Sequence, residues 1–240
     1  MCATYTPTRR ERLEQHFGVA CPSENFEPDV YPGYLGPIIR LADDQSGQVE
    51  GVAACFGMVP HWADLKLARQ TYNARSETVA AKPTYRNAWR RRQFCIVPLE
   101  SFFEPSYETG KAVRWKIAHA SDRPLGLAAI WEWRPNGGPD DRPLVSFSML
   151  TVNADGHPLM QRFHKPEDEK RMVVILEPTQ YEAWLHATPA QAEGFMQRYP
   201  AEQLIAEAAP KPPGLRKATP KLIADELFSQ ESARREDDIE

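Results

Sequence analysis

The second residue of the chain is a cysteine, and this position gives it a chemistry that no internal cysteine has. If Met1 is removed, as is usual before a small second residue, Cys2 carries both an α-amine and a thiol. The amine has a reference pKa of about 7.7–8.0, so a substantial fraction is uncharged near neutral pH. The thiol is nucleophilic as its thiolate. Such an aminothiol condenses with an aldehyde to a Schiff base and then closes a thiazolidine ring. The alternative is an incidental cysteine at position 2.

Asn73 and Arg75 form a second candidate site. The asparagine side chain offers a hydrogen-bond donor and an acceptor, and the arginine offers a fork that suits phosphate. Ser76 follows them and could cap a helix. We therefore expect both residues on the loop that enters this helix, where phosphate groups are readily bound. A helix cap with a surface arginine would explain the same residues.

Three single side chains complete the set of candidates. Glu104 follows two aromatic residues and is a candidate general acid or base, or else an exposed glutamate at the end of a strand. His164 is a candidate proton shuttle, although a lone histidine is often structural. Trp62 is a candidate for stacking on a nucleic-acid base, and the alternative is an aromatic residue of the core.

Basic residues gather in one segment of an acidic chain. The net charge is −4. The segment 225–240 holds seven acids and two arginines, which leaves +1 for the remainder. Residues 69–92 carry a single acid, Glu77, and seven basic residues: Arg69, Arg75, Lys82, Arg86, Arg90, Arg91 and Arg92. A local basic surface can hold phosphates even on an acidic protein. A solvated helix face is the alternative.

The composition is that of a globular protein. The chain has 240 residues, of which 42% are hydrophobic, and can bury a substantial core. Neither a run of about 20 apolar residues nor a signal peptide is evident, which predicts a cytoplasmic protein. The four cysteines form no C-x-x-C pair and no zinc-like cluster, so we expect neither a disulfide framework nor a metal. Cys55 and Cys95 lie in apolar runs and are predicted to be buried.

The pattern of predicted elements favours an α+β domain around a mostly antiparallel sheet or barrel, because strands and helices do not alternate regularly. Strands are predicted at 50–59, 94–104, 112–120, 125–133, 144–153 and 171–176. Helices are predicted at 8–17, ended by Gly18, and at 76–91, 178–186 and 189–198, with a loop at 22–33. We expect one domain over 1–207 and a disordered charged tail over 208–240.

Taken together and in order, these segments resemble the SRAP family (SOS-response-associated peptidase), whose members crosslink to abasic sites in DNA. The resemblance spans about residues 1 to 200. Its elements are Met-Cys at the start, Gly-Met-Val-Pro-His-Trp-Ala at 57–63, Asn-Ala-Arg-Ser-Glu-Thr at 73–78, Lys-Pro-Thr-Tyr-Arg at 82–86, Cys-Ile-Val-Pro at 95–98, Phe-Phe-Glu at 102–104, and His164 followed by Arg-Met-Val-Val-Ile-Leu at 171–176.

The resemblance implies a single α+β domain with a barrel-like sheet core and peripheral helices, and no metal or cofactor. It implies single-stranded DNA with abasic sites as the partner, and we expect a monomer. Cys2 would be the crosslinking nucleophile, Asn73 would hold this cysteine and the sugar, and Glu104 would act in acid–base steps. His164 would assist opening of the sugar ring and reversal of the crosslink. Arg75 and Arg86 would contact the backbone phosphates. With Arg90 of the basic segment and Trp62, they form the expected set of DNA-binding residues.

The sequence departs from the family pattern at three places. Ala3-Thr4 replaces the common Gly-Arg after the cysteine. Pro105 follows Glu104 where a tryptophan is common, and the segment 165–170 lengthens the link between His164 and Arg171.

Three functional interpretations remain open. The first is the crosslinking protein. The second is a peptidase or amidase with Cys2 as nucleophile and its own amine as base, which leaves the basic segment without a role. The third is a non-covalent single-strand binding module, which leaves Cys2 without one.

Overall fold

The computed structural model describes residues 2–43, 46–138 and 142–211. In these ranges the chain forms eleven strands and four α-helices. The strands are β1 Tyr5–Pro7, β2 Leu35–Leu41, β3 Val49–Phe56, β4 Asn73–Arg75, β5 Phe94–Ser106, β6 Val113–His119, β7 Leu125–Arg134, β8 Leu144–Asn153, β9 Arg171–Val173, β10 Ile175–Leu176 and β11 Leu204–Ala208. The helices are α1 Arg10–Phe17, α2 Arg86–Arg90, α3 Tyr181–His186 and α4 Pro189–Ala192.

Five strands close a barrel in the order β7, β8, β3, β2 and β5, and β5 pairs back with β7. The remaining strands extend this ring, with β1 and β6 on β5, β4 and β9 on β8, β10 on β7 and β11 on β6. The predicted α+β fold with a barrel-like sheet is confirmed. Two pairs, β3–β8 and β4–β8, are parallel, so the barrel is mixed.

Strand β5 links the barrel to the N-terminus of the chain. Its first half, 94–99, pairs with β7, and its second half pairs with β6 and with β1. Side chains alternate between the two faces of a strand. Phe102 and Glu104 therefore point to the same side, next to the segment that carries Cys2.

The barrel interior is closely packed with aromatic side chains. Phe56 contacts Tyr5 edge-on at 5.3 Å between ring centroids and stacks on Phe147 at 5.2 Å. Helix α3 covers β5, and the indole of its Trp184 donates a hydrogen bond to the carbonyl of Cys95 at 2.9 Å. Such buried polar groups are normally paired. The predicted burial of Cys55 and Cys95 is confirmed.

The predicted helix over 76–91 is wrong for most of its length. Turns occupy 76–85, apart from a bend at 82, and only Arg86–Arg90 is helical. Pro83 explains the difference, because it lacks an amide hydrogen and disfavours helical geometry at the preceding residue. The predicted loop at Asn73 and Arg75 is also wrong, since these residues form β4 in parallel pairing with β8.

The other predicted elements differ from the observed ones by a few residues at their ends. Helix α1 ends as predicted at Gly18, whose φ of 69° is the left-handed geometry of a helix cap. The helix predicted at 189–198 is shorter, because α4 gives way to a 3-10 turn at Glu193–Phe195 that contains Gly194. Strand β2 was not predicted. The predicted tail lies outside the described residues from 212 onward.

Candidate active site

Cys2 lies three residues before β1 and is buried. Only 1% of the residue is exposed, and its thiol donates to the carbonyl of Thr4 at 3.5 Å. The chain is fixed here because the amide of Phe103 donates to the same Thr4 carbonyl at 3.0 Å. The N-terminal segment is therefore held in one position against β5.

The surroundings of Cys2 keep its thiol protonated. Burial raises the pKa of the thiol well above its usual value, and the nearby charge of Glu104 raises it further. Backbone hydrogen bonds from Thr4 and Phe103 oppose this shift but do not cancel it. A thiol with a raised pKa reacts through its sulfur where a proton acceptor is at hand.

Asn73 holds Cys2 directly. Its side-chain nitrogen donates to the carbonyl oxygen of Cys2 at 2.8 Å, within the buried interior. The backbone of Asn73 is itself anchored by pairing with Met149 of β8 and by the hydroxyl of Tyr85 at 3.1 Å. The side-chain oxygen of Asn73 is buried and has no hydrogen-bond partner among the described residues. A buried acceptor of this kind favours a donor that enters the site.

Glu104 and His164 form a buried pair. Nε2 of His164 lies 3.0 Å from a carboxylate oxygen of Glu104, and the two side chains are 13% and 1% exposed. An imidazole beside a carboxylate can hold a proton and pass it on. The interpretation of Glu104 as an exposed glutamate at a strand end is wrong.

The loop that carries His164 is strained and held from two sides. His164 has a φ of 64°, which a residue with a side chain rarely adopts. Its amide donates to the carbonyl of Pro105 at 2.7 Å, which ties the loop to β5. Nζ of Lys170 donates to the carbonyls of Phe163 at 3.0 Å and Lys165 at 2.6 Å. Strain of this kind persists where the surrounding structure imposes it.

Tyr72 is a residue of this site that the sequence did not single out. Burial raises the pKa of its hydroxyl, and the negative charge of the nearby Glu104 adds to the shift. It precedes Asn73 directly, and that adjacency was the only signal available in the sequence. A neutral phenol in this place can donate a hydrogen bond to an oxygen of a bound molecule.

Arg75 is an exposed residue, but it is already paired. Its guanidinium lies 2.7 Å from Glu169. The other carboxylate oxygen of Glu169 lies 2.8 Å from Arg171, and Arg171 is buried and also binds Glu77 at 2.8 and 2.9 Å. The lengthened segment 165–170 thus places a carboxylate on the arginine that was predicted to bind phosphate.

The other predicted DNA contacts are exposed. Trp62 is 57% exposed, so its interpretation as a core aromatic residue is wrong. Arg86 and Arg90 lie four positions apart on one face of α2. All seven basic residues of the segment 69–92 are exposed. Arg92, however, donates to the carbonyls of His186 and Ala187 at the end of α3, which gives it a structural role.

Helices that could span a membrane and clusters of candidate metal ligands are both absent from residues 2–43, 46–138 and 142–211. No helix in these ranges is long and apolar enough to cross a membrane. No group of three or more histidine, cysteine or acidic residues is placed to hold a metal ion in the same ranges.

Comparison with known proteins identifies a family and relatives that are similar in sequence. A family model described as SOS response associated peptidase (SRAP) matches residues 1–211. Abasic site processing protein YoqW of Bacillus subtilis is 27% identical over 190 residues, which is 75% of this chain and 80% of that protein. Abasic site processing protein YoaM of the same organism is 25% identical over 191 residues, with 77% and 79% coverage.

Solved structures agree with this assignment. A crystal structure of a protein from Bordetella bronchiseptica superimposes with a TM-score of 0.79 and 36% identity, and covers 88% of this chain and 100% of that one. A second, from Bacteroides thetaiotaomicron, has a TM-score of 0.75 and 19% identity, with 93% and 98% coverage. Since the family model covers most of the chain, this protein belongs to the SRAP family.

Proposed function

We propose that this protein binds single-stranded DNA at abasic sites and bonds covalently to the lesion through Cys2. After removal of Met1, the amine and thiol of Cys2 form a thiazolidine with the ring-opened sugar and so shield the lesion. The observation that carries this proposal is the buried contact between Asn73 and the carbonyl of Cys2, with the Glu104–His164 pair beside it. The names of the Bacillus relatives, abasic site processing proteins, support the same target.

The first step is opening of the abasic sugar. The closed form is a hemiacetal, which opens when its hydroxyl loses a proton and its ring oxygen gains one. The Glu104–His164 pair has the residue types and the 3.0 Å spacing to accept one proton and deliver the other. The product is an aldehyde at C1′ within reach of the N-terminus. The unpaired side-chain oxygen of Asn73 is a candidate acceptor for the sugar hydroxyl or for the α-amine.

The second step forms two bonds at C1′. The neutral amine of Cys2 adds to the aldehyde, and loss of one water gives an imine. The sulfur then adds to the imine carbon while the thiol proton moves to nitrogen, which closes the ring. This order suits the site, since the amine reacts first and the thiol is protonated at rest. No oxidant or reductant is consumed.

The basic surface gives the protein its hold on the DNA strand. Arg86 and Arg90 of α2 are exposed and can contact phosphates. Arg75 would contact a phosphate once that phosphate displaces the Glu169 carboxylate from its guanidinium. Trp62 is exposed and can stack on a base.

The peptidase interpretation is weaker. A cysteine nucleophile that attacks peptide bonds needs a lowered thiol pKa or an adjacent base that activates it. The amine of Cys2 or the nearby Glu104 could serve as that base. The peptidase interpretation nevertheless leaves the exposed basic residues of the segment 69–92 without a role, whereas aldehyde condensation on DNA uses both Cys2 and these basic residues.

The proposal is tested with a single-stranded oligonucleotide that carries one abasic site. Wild type and Cys2→Ala are incubated with it, heated and separated on a denaturing gel. We expect a heat-stable shifted band for wild type only, and none with an undamaged oligonucleotide. Absence of the band, with Met1 shown by intact mass to be removed, would reject the crosslinking function.

A further inference from the structure

A stacked pair of side chains borders the Glu104–His164 pair. Trp115 lies directly opposite Glu104 in the register of β5 and β6. The guanidinium of Arg162, two residues before His164, lies over the Trp115 ring at 4.8 Å from its centroid. This Arg162–Trp115 stack therefore has one member paired across the strands with Glu104 and the other next but one to His164 in the chain.

The stack is held in place before any ligand binds. Glu108 accepts two hydrogen bonds from the Arg162 guanidinium, at 2.9 and 3.2 Å. The Trp115 ring meets Phe163 edge-on at 6.2 Å. The side chain of Arg162 is 37% exposed. The guanidinium of Arg162 is thus held by a bidentate contact with the Glu108 carboxylate. One of its faces stacks on the indole of Trp115, a contact that arginine favours.

The charge of this stack argues against a phosphate ligand. Glu108 offsets the charge of Arg162 and accepts hydrogen bonds from its Nε and Nη2, so its attraction for a phosphate is reduced. The flat face of a guanidinium does attract a nucleobase, as do the faces of aromatic rings. The surface is suited to a planar, uncharged group.

An abasic nucleotide has no base that a protein can recognise. Recognition must use its sugar, its phosphates and the nucleotides beside it. When the abasic sugar enters the site, the neighbouring base also loses a stacking partner. We propose that the Arg162–Trp115 stack binds the base next to the abasic sugar and so positions C1′ at Cys2. This inference rests on the proposed function and assigns it a second recognition element.

The test uses two oligonucleotides of equal length and charge. Both carry one reactive abasic site. In the second, the two neighbours are tetrahydrofuran residues, which lack a base and cannot open to an aldehyde. The concentration that gives half-maximal crosslinking rate is measured for wild type, Trp115→Leu and the control Trp133→Leu. Trp133 is an exposed tryptophan near the end of β7, a strand that carries neither member of the stack.

For Trp115→Leu we expect an increase of about tenfold in this concentration on the first oligonucleotide and no change on the second. For wild type, this concentration should be about tenfold higher on the second oligonucleotide than on the first. Trp133→Leu should behave as wild type. An equal loss for Trp115→Leu on both oligonucleotides, or no loss on either, would overturn the proposal.

Two further variants separate stacking from charge. Trp115→Phe keeps a ring and should recover most of the affinity. Glu108→Gln removes the carboxylate and leaves Arg162 on the indole, so the preference for the first oligonucleotide should persist. If Glu108→Gln instead tightens both oligonucleotides alike and steepens the salt dependence, Arg162 is a phosphate ligand and the proposal is wrong.

Binding without crosslinking keeps this test independent of the proposed function. Fluorescence anisotropy of Cys2→Ala with the same two oligonucleotides should show the same preference, and addition of Trp115→Leu should abolish it. Failure of wild type to crosslink at all would reject the proposed function. Equal affinity of Cys2→Ala for the two oligonucleotides would reject the stack.

Discussion

At the scale of single residues, the site combines one reactive group with side chains that hold it. Cys2 is fixed by a hydrogen bond from Asn73, a residue 71 positions away. Glu104, a residue of β5, raises the pKa of the Cys2 thiol through its charge, and its carboxylate lies 3.0 Å from Nε2 of His164. These contacts give the N-terminus a defined position and a proton acceptor, which are the two requirements of the proposed condensation.

The raised pKa of the Cys2 thiol predicts slow alkylation. With a pKa above the assay range, the thiolate fraction increases about tenfold for each pH unit and does not level off. We therefore expect the iodoacetamide rate of Cys2 to rise continuously from about pH 6 to pH 9. Peptide mass spectrometry measures it, with the partly exposed Cys21 as an internal reference. A plateau below about pH 8 would show that the thiol is activated.

Removal of the Asn73 side chain should loosen the N-terminus. Asn73→Ala loses the donor to the Cys2 carbonyl, and we expect the crosslinking rate at saturating oligonucleotide to fall about 10- to 100-fold, as for other losses of positioning. Single-turnover kinetics measure this rate. The matched control Asn136→Ala changes an exposed asparagine and should leave it unaltered. A normal rate for Asn73→Ala would contradict this role.

The residue types at the site could be predicted from the sequence, but their pairing could not. Cys2 was recognisable because only a second-position cysteine can become an aminothiol. The contact between Glu104 and His164 depends on how the loop after β8 returns to β5, and no local pattern encodes that return. Tyr72 and Lys170 were missed for the same reason, since each acts through neighbours that are distant in the sequence.

At the scale of elements, the segment 165–170 is the main difference from the expected site. It supplies Glu169, which bridges Arg75 and the buried Arg171. It also supplies Lys170, which holds the carbonyls of the loop that presents His164. The segment therefore links the proposed phosphate contact to the proposed acid–base pair.

Glu169→Gln tests the link to DNA. The change removes a negative charge beside the proposed path of the DNA and removes the ion pair between Glu169 and Arg75. We expect several-fold tighter binding of single-stranded DNA at low salt and a steeper dependence on salt concentration, as an additional phosphate contact requires. Fluorescence anisotropy over a salt series measures both. Unchanged affinity and slope would show that Arg75 does not contact phosphate.

The buried arginine of β9 should stabilise the fold. Arg171→Met removes hydrogen bonds to Glu77, Glu169 and the Thr151 carbonyl. We expect a loss of about 1–3 kcal/mol in the free energy of unfolding, less than for a fully buried pair because both carboxylates can be rehydrated. Urea unfolding measures it, and Arg86→Met, at an exposed arginine of α2, is the control. A loss no larger than that of the control would contradict this role.

The same interaction predicts a dependence on pH. Hydrogen bonds from Arg171 lower the pKa of Glu77 and of Glu169. The stabilisation is therefore complete above the unfolded pKa of about 4.3 and is lost as the pH falls through the lowered folded values. The stability difference between wild type and Arg171→Met should shrink as the pH decreases from about 7 to about 3. A difference that does not change over this range would rule out these carboxylates.

Element types were easier to predict than their limits. The strands at 94–104, 125–133 and 144–153 were recognisable from their apolar patterns and lie within β5, β7 and β8. The predicted helix at 76–91 is longer than α2, because Pro83 interrupts helical geometry in this segment. Strand β4 has three residues, and its pairing with β8 is a tertiary effect that its own sequence does not specify.

At the scale of the whole molecule, a closed barrel positions groups from four separate parts of the chain. The irregular order of elements predicts its α+β class and a mostly antiparallel sheet or barrel, and the resemblance specifies the barrel-like core. The parallel pairing of β8 with β3 and β4 could not be predicted, since it joins segments that are far apart in sequence. The net charge of −4 is an average over the whole chain and does not reveal the seven exposed basic residues of the segment 69–92.

The intact mass of the product formed with an abasic oligonucleotide tests the central claim most directly. We predict a complex whose mass equals the protein without Met1 plus the oligonucleotide minus one water, stable to heat without reduction. Cys2→Ser, which keeps the amine, should give an adduct only when borohydride traps its Schiff base. A heat-stable unreduced adduct with Cys2→Ser, or an adduct of wild type that retains Met1, would contradict thiazolidine formation at Cys2.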